Sequence, residues 1–222
     1  APPLWTAVAL LPGRERRRRL ARGIARGLAR LLGMPFTIQG LEHLAGPGPR
    51  IVVSNHQSYL DGCVLTGLLP PEHAYVVKRE LRGNVVSRVF LERLGAVFVE
   101  RFDPAQGAEE TRKVLERVRA GESLVVFPEG TFYRYPGLLP FRLGAFAVAA
   151  EAGVPVVPVT IRGTRSLLRG DDFFPRRGAA AVEIGPPIHP QGQGWDAAVR
   201  LRDAARADIL CRCGEPDLGA QG

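Results

Sequence analysis

The sequence has 222 residues, of which 45% are hydrophobic and 23% are charged. That composition excludes wholesale disorder, and the length suits one large domain or two small ones. The net charge of +8 is concentrated near the start, because residues 14–30 contain eight arginines and one acid, Glu15. A nucleic-acid-binding protein usually spreads basic charge over a folded face, so no nucleic-acid partner is expected.

The first predicted helix covers residues 14–32. Its large apolar side chains recur at helical spacing, and three arginines keep the same period about 200° around the helix. The apolar stripe is Leu20, Ile24, Leu28 and Leu31, and the basic stripe is Arg22, Arg26 and Arg30. This pattern is typical of a helix lying in a membrane interface beside anionic lipid. The alternative is a solvated helix that packs on the domain through its leucines.

No run of the sequence reaches the roughly 20 apolar residues of a membrane-spanning helix. We therefore predict residues 1–40 to be an amphipathic membrane-interface segment. After Gly40, short β-branched runs alternate with helical patterns, which is typical of an α/β domain. The predicted strands are 50–54, 74–78, 96–100, 123–127, 156–161 and 181–184. The predicted helices are 61–69, 82–94, 104–120, 143–152 and 195–211.

These elements predict an α/β fold with a central, mostly parallel sheet flanked by helices, preceded by the basic amphipathic helix. The domain is expected over residues 41–213. Residues 214–222 are polar and glycine-rich, so we expect a flexible tail.

The segment SNHQSYLD, residues 54–61, follows a predicted strand and opens a predicted helix. His56 and Asp61 are five residues apart, and a turn that leads into a helix can bring their side chains together. A carboxylate beside an imidazole fixes its tautomer, and imidazole can accept a proton near neutral pH. The alternative is a helix-capping histidine with an unrelated aspartate.

Further segments of interest lie at predicted strand ends, where sites in α/β sheets form. Residues 95–101 (GAVFVER) end a strand with Arg101, and residues 127–131 (FPEGT) place a carboxylate and a hydroxyl on a glycine-bearing turn. Residues 154–158 (VPVVP) form a proline-punctuated strand.

The motif Asn55-His56-x4-Asp61 and these three segments resemble, in order and spacing, the four blocks of the glycerolipid acyltransferase family, which includes the 1-acylglycerol-3-phosphate acyltransferases. The resemblance extends over residues 51–185. It implies an O-acyltransferase of phospholipid biosynthesis that moves a fatty acyl group from acyl-CoA or acyl-carrier protein to the hydroxyl of lysophosphatidic acid or a related lysophospholipid. It implies neither a metal nor a cofactor besides this co-substrate. From the basic amphipathic helix we expect a peripheral or monotopic position on the cytoplasmic face of the cell membrane, here a bacterial inner membrane.

The same resemblance implies that His56 deprotonates the acceptor hydroxyl and that Asp61 orients His56. Lys78 and Arg101 are expected at the acceptor phosphate, and the turn at Glu129 is expected to hold the acceptor. The predicted substrate-binding residues are Asn55, Lys78, Arg101, Glu129, Gly130 and Thr131.

One position departs from the family pattern, in which arginine and then serine follow the residue equivalent to Thr131. Here Phe132 follows, so a phosphate-binding arginine is displaced or lost, and the acceptor head group stays open. The candidates to replace that arginine are Arg134, Arg142, Arg162 and Arg165. Two other classes remain: a hydrolase that uses the same pair on water, although no G-x-S-x-G motif is present, and a non-enzymatic basic membrane- or nucleic-acid-binding protein.

Overall fold

The computed structural model describes residues 2–99, 104–168 and 174–219. Its strands are β1 (Phe36–Gln39), β2 (Ile51–Ser54), β3 (Ala74–Lys78), β4 (Val97–Val99), β5 (Leu124–Val126), β6 (Val156–Arg162) and β7 (Ala180–Ile184). Its helices are α1 (Pro2–Leu10), α2 (Arg14–Leu31), α3 (Leu60–Leu68), α4 (Val85–Leu94), α5 (Pro104–Arg119), α6 (Gly144–Ala152), α7 (Thr164–Leu167) and α8 (Gly194–Cys213). Two 3-10 helices cover Leu41–Leu44 and Arg79–Gly83.

The strands of the described residues form one sheet in the order β1-β7-β6-β2-β5-β3-β4. Strands β6, β2, β5, β3 and β4 are mutually parallel, so their carboxyl ends share one edge. Strand β7 runs antiparallel to β6, and β1 pairs in parallel with β7. The predicted α/β fold with a mostly parallel, helix-flanked sheet is confirmed.

The central strand β2 is buried at all four positions because helices cover both faces of the sheet. Ile51 and Val53 lie in a cluster with Phe146 of α6, whereas Val52 lies in the opposite cluster with Leu65 of α3. A strand buried on both faces reads as an unbroken apolar run rather than an alternating one. The sequence IVV therefore fixes β2 in the middle of the sheet, directly before the His56 segment.

The N-terminal boundary differs from the predicted one at residue 40. Strand β1 pairs with β7, with Phe36 opposite Ala180, so the sheet begins inside the predicted membrane-interface segment. This four-residue edge strand alternates between half-buried and exposed positions, and so short a pattern carries little signal beside the long arginine-rich helix.

The C-terminal tail also differs from its prediction. Residues 214–219 pack on the domain: the Leu138 N–H donates to the carbonyl oxygen of Pro216, and the Leu218 N–H donates to that of Leu138. Arg206 of α8 forms an ion pair with Asp217 at 2.5 Å. Backbone hydrogen bonds thus connect residues 214–219 to the domain, where composition alone predicts fraying. Residues 220–222 lie outside the described part.

Helix α2 is attached to the domain by arginine. The Arg18 side chain is 11% exposed, and it donates to the Leu94 carbonyl oxygen at 2.8 Å, to that of Glu72 at 2.8 Å and to Glu122 at 3.0 Å. The Leu94 carbonyl ends α4, where backbone acceptors have no partner within the helix. Arg18 therefore supplies donors to acceptors that α2 would otherwise bury.

The docked face of α2 differs from the predicted apolar stripe and shares only Arg22 with the predicted basic stripe. It carries the buried Ala21 and Ala29, together with Arg22, whose guanidinium donates to the carbonyl oxygens of the last residues of α3. The apolar stripe lies beside this face and is partly exposed, with Leu31 at 81% exposure. Arg26 and Arg30 are exposed on the third side. Helix α2 thus has a docked, an apolar and a basic face. No helix in the described residues has the length and hydropathy required to cross a bilayer.

We expect Arg18→Ala to lower the free energy of unfolding by about 1–2 kcal/mol, because the half-buried Leu94 carbonyl and Glu122 lose their donor. Urea unfolding measures this change. The matched control is Arg19→Ala, whose side chain is 67% exposed and pairs with the exposed Glu15, and its cost should stay below about 0.5 kcal/mol. Equal effects of the two substitutions would contradict the docking role of Arg18.

Candidate active site

The candidate site lies at the carboxyl edge of three neighbouring parallel strands. The His56 segment follows β2, the turn over residues 127–131 follows β5, and Lys78 ends β3. Because β5 pairs with both β2 and β3, these segments leave the sheet side by side. The sequence predicted this placement from the strand ends alone.

His56 and Asp61 are in direct contact. The His56 Nδ1 atom lies 2.8 Å from Asp61 Oδ2, and the same oxygen accepts the backbone N–H groups of Gln57 at 2.6 Å and Ser58 at 2.9 Å. Asp61 has no exposed surface. When Nδ1–H donates to this carboxylate, Nε2 keeps its lone pair and can accept a proton.

Two aromatic rings enclose the His56 imidazole. Phe127 stacks on it with ring centroids 4.3 Å apart and an interplanar angle of 22°, and Phe132 meets it edge-on at 4.6 Å. The His56 side chain keeps 19% exposure, so the ring is shielded but reachable. Phe132 occupies the position where the family pattern has arginine, so an apolar wall stands in place of a cation.

Tyr59 extends the aromatic wall outward. Its ring lies 4.8 Å from that of Phe132, and it is largely exposed to solvent. Tyr59 and Phe127 lie in the segments 54–61 and 127–131, but neither was predicted to act at the site. The signal available was the aromatic residue at the first position of the FPEGT turn, directly after a buried strand.

Glu129 connects two segments of the site instead of facing an open acceptor pocket. It is buried, and its oxygens accept the His56 N–H at 2.6 Å and the Leu139 N–H at 2.9 Å. Burial raises the pKa of Glu129 to about 7; the two N–H donors act in the opposite direction, and the nearby Asp61 and Glu215 add to the rise. Glu129 was predicted to bind the acceptor, and in the structure both of its oxygens accept backbone N–H groups of the protein.

Gly130 closes the turn that places Glu129. Its N–H donates to the Phe127 carbonyl oxygen at 3.1 Å, and its φ is +80°, a value that L side chains avoid. Thr131 is half-buried directly after it. The glycine of the FPEGT motif is therefore required by the backbone conformation of the turn.

Asn55 was predicted to bind substrate, but the structure directs its side chain into the sheet. It is buried, its Nδ2 donates to the Ile161 carbonyl oxygen at 2.9 Å, and its Oδ1 accepts the Ile161 N–H at 2.7 Å. Both ends of the amide are used, so Asn55 ties β2 to β6. Lys78 is half-buried at the strand end, and Arg101 lies outside the described residues.

Among the arginines considered as a replacement for the missing one, Arg165 is held close to the site. Its Nε and Nη2 donate to the two oxygens of Glu215 at 3.0 and 3.1 Å, and its Nη1 donates to the Tyr133 carbonyl oxygen at 2.5 Å. Glu215 also accepts from Gln57. Sequence reasoning missed Glu215, because nothing in a polar tail marks one acid as part of a site.

No group of three or more histidine, cysteine, aspartate or glutamate side chains that could hold a metal ion occurs within residues 2–99, 104–168 and 174–219.

A histidine–carboxylate pair at the carboxyl edge of a parallel sheet defines the general class, an α/β protein with its site at the strand ends. The chain belongs to the acyltransferase family, whose model matches residues 35–162.

Named relatives agree with this assignment. The chain is 34% identical over 200 residues to the 1-acyl-sn-glycerol-3-phosphate acyltransferase BAT2, chloroplastic, of Brassica napus, covering 88% of this chain and 54% of that protein. It is 33% identical over 183 residues to the 1-acyl-sn-glycerol-3-phosphate acyltransferase of Saccharomyces cerevisiae, covering 81% and 60%. The chain therefore spans little more than half the length of these two relatives.

A solved structure shares the fold. The 1-acyl-sn-glycerophosphate acyltransferase PlsC from Thermotoga maritima matches with a TM-score of 0.74 and 25% sequence identity, over 93% of this chain and 86% of that one. The likeness includes most of the chain, so it extends beyond the residues that the family model matches.

The raised pKa of Glu129 predicts a pH-dependent stability. Between about pH 4.5, the ordinary value, and about pH 7 the folded protein holds a proton that the unfolded chain has released. The free energy of unfolding should therefore fall as pH rises through this window, by up to about 3 kcal/mol at about 1.4 kcal/mol per pKa unit.

Urea unfolding at pH 5.0 and 7.5 tests this prediction by comparing the wild type with Glu129→Gln, which cannot titrate. We expect a smaller pH difference in the variant. The control is Glu151→Gln, which removes an exposed acid paired with Arg119 and should keep the wild-type difference. An unchanged pH difference in Glu129→Gln would refute the assignment.

Proposed function

We propose that the protein is an O-acyltransferase that moves a fatty acyl group from a thioester to the free hydroxyl of a lysophospholipid. The observation that carries the proposal is the His56–Asp61 contact at 2.8 Å, in a chain of the acyltransferase family. The relatives are named for 1-acyl-sn-glycerol-3-phosphate, which makes lysophosphatidic acid the first acceptor to test.

In the proposed reaction, the acceptor hydroxyl gives its proton to His56 Nε2 while its oxygen attacks the thioester carbonyl carbon. The tetrahedral intermediate collapses, the carbon–sulfur bond breaks, and the thiolate leaves and takes up the proton from the imidazolium. Asp61 stabilises that imidazolium through Nδ1. The acyl group passes directly to the acceptor, so no acyl-enzyme is required.

The aromatic wall favours transfer over hydrolysis. Phe127 and Phe132 cover the two sides of His56, and an apolar surrounding limits the water that can compete for the thioester. A lysophospholipid carries an acyl chain beside its hydroxyl, and the Phe127 and Phe132 rings offer that chain an apolar surface. This supports acyl transfer to a lipid over the alternative in which the same pair activates water.

The acceptor phosphate is proposed to bind near Lys78, the last residue of β3, and Arg101, two residues after β4 in the sequence. Lys78 is half-buried at the edge that carries His56. With Phe132 in the arginine position, we propose Lys78 and Arg101 as the first cations to test for phosphate binding, and Arg165 as the next. The thioester donor is proposed to be acyl-CoA or acyl-carrier protein.

The three-faced helix α2 supports attachment to an anionic membrane surface. Its apolar face exposes Leu31, and its basic face exposes Arg26 and Arg30. A helix with these two faces side by side can bury leucine among acyl chains while arginine meets lipid phosphates. We propose a peripheral position, with the cytoplasmic face of the cell membrane as the expected location.

A thiol-release assay tests the reaction, with palmitoyl-CoA in the presence and absence of lysophosphatidic acid. We expect release that depends on the acceptor, and His56→Ala should lower kcat by about 10²–10⁴-fold because the general base is lost. His189→Ala, which removes an exposed histidine, should behave as the wild type. Release without acceptor would favour a hydrolase, and full activity of His56→Ala would refute the mechanism.

Membrane attachment is tested by sedimentation with vesicles of phosphatidylglycerol and phosphatidylcholine. Leu31→Gln should weaken binding by about 10- to 100-fold, because one leucine side chain contributes about 1.5–3 kcal/mol when it leaves water. Leu41→Gln changes another exposed leucine and should bind as the wild type. Equal binding of the two variants would argue against the apolar face of α2 as the contact.

A further inference from the structure

The C-terminal segment, residues 214–219, reaches the candidate site through Glu215. This side chain is 11% exposed. Its Oε1 accepts from Gln57 Nε2 at 3.0 Å, and its Oε2 accepts the Gly137 N–H. Arg165 donates to both oxygens. The family model ends at residue 162, so this contact lies beyond the matched region.

Two carboxylates therefore connect the same pair of loops. Glu129 accepts from the His56 and Leu139 N–H groups. Glu215 accepts from Gln57, directly after His56, and from Gly137, two residues before Leu139. The first loop carries the His56–Asp61 pair, and the second follows Phe132. A polar group removed from water is stable only with partners, so each carboxylate fixes the distance between the loops.

Gln57 relays this constraint to the reacting pair. Its side chain is held by Glu215, while its backbone N–H donates to Asp61 Oδ2 at 2.6 Å. That oxygen also holds His56 Nδ1. Displacing Gln57 would therefore disturb the hydrogen bonds that set the orientation of the imidazole.

Arg165 makes a second carboxylate tolerable here. Glu129, Asp61 and Glu215 are close enough for the last two to raise the pKa of the first. The guanidinium of Arg165 faces Glu215 through two parallel hydrogen bonds, which suit its planar geometry. The positive charge of Arg165 therefore offsets the repulsion between the Glu215 carboxylate and the carboxylates of Glu129 and Asp61.

We propose that Glu215 is a positioning residue for acyl transfer, which holds Gln57 and the Phe132 loop so that His56 faces the acceptor hydroxyl. The proposal rests on the proposed function for its kinetic part. A misplacement of about 1 Å can cost up to about 100-fold in rate. Glu215→Gln should accordingly lower kcat by about 10–100-fold, with the KM for palmitoyl-CoA little changed.

The pH profile gives a readout that a purely structural role would not move. The titratable groups facing Glu129 are His56, Asp61, Cys213 and Glu215. Removing the Glu215 charge lowers the pKa of Glu129, so Glu129 keeps its ionised, stronger acceptor form to lower pH. The acid limb of kcat should therefore shift to lower pH in Glu215→Gln.

The experiment compares the wild type, Glu215→Gln and Gln57→Ala, with Glu151→Gln as the control for removing an acid paired with arginine. Thermal unfolding gives the fraction of each variant that is folded at the assay temperature, and kcat is divided by that fraction. NMR of the His56 Cε1–H supplies a readout independent of activity, because the Phe127 and Phe132 rings shift this resonance. Both Glu215→Gln and Gln57→Ala should lower kcat and move the resonance, whereas Glu151→Gln should do neither.

If the wild type transfers no acyl group, the proposed function fails, and the NMR shift still decides whether Glu215 positions His56. If Glu215→Gln loses only thermal stability, with wild-type kcat per folded molecule and an unmoved resonance, Glu215 is structural and the inference is overturned. Should Glu215→Gln fail to fold, Gln57→Ala decides in the same way, since it removes the contact and leaves the tail in place.

Discussion

A single buried oxygen, Oδ2 of Asp61, holds the site together. It accepts hydrogen bonds from three consecutive residues, His56 through its ring and Gln57 and Ser58 through their backbones. A carboxylate near the first turn of a helix also interacts favourably with the helix dipole. The geometry that orients the imidazole is therefore the geometry that starts α3, so losing Asp61 would disturb the helix as well as the proton acceptor.

Other polar side chains act as joints between strand ends. Asn55 binds the backbone of β6 at Ile161, and Glu129 binds the backbones of two loops. Parallel strands separate as they leave a sheet, because their carboxyl ends have no further ladder partners. Side-chain amides and carboxylates extend the hydrogen bonding by a few residues, which is where the candidate site lies.

Sequence patterns predicted the features that depend on residues close together in the chain. Unbroken apolar runs located β2 and β3, helical periodicity located α2, and the spacing of His56 and Asp61 anticipated their contact. Patterns failed where a partner far along the chain decides the outcome. The N–H of Ile161 determines where Asn55 points, and Leu138 determines that the tail is ordered. The sequence around Asn55 contains no signal for Ile161, and the sequence of the tail contains none for Leu138.

The close approach of α2 to α3 has a mechanical consequence. At Gly67 of α3, an added Cβ would stand 3.5 Å from both Ala25 and Arg26, and Arg22 binds the final carbonyls of the same helix. Helix α3 begins with the residues that orient His56. If α2 lies on a membrane, its packing on α3 therefore fixes the distance and the tilt of the His56 imidazole relative to the membrane surface.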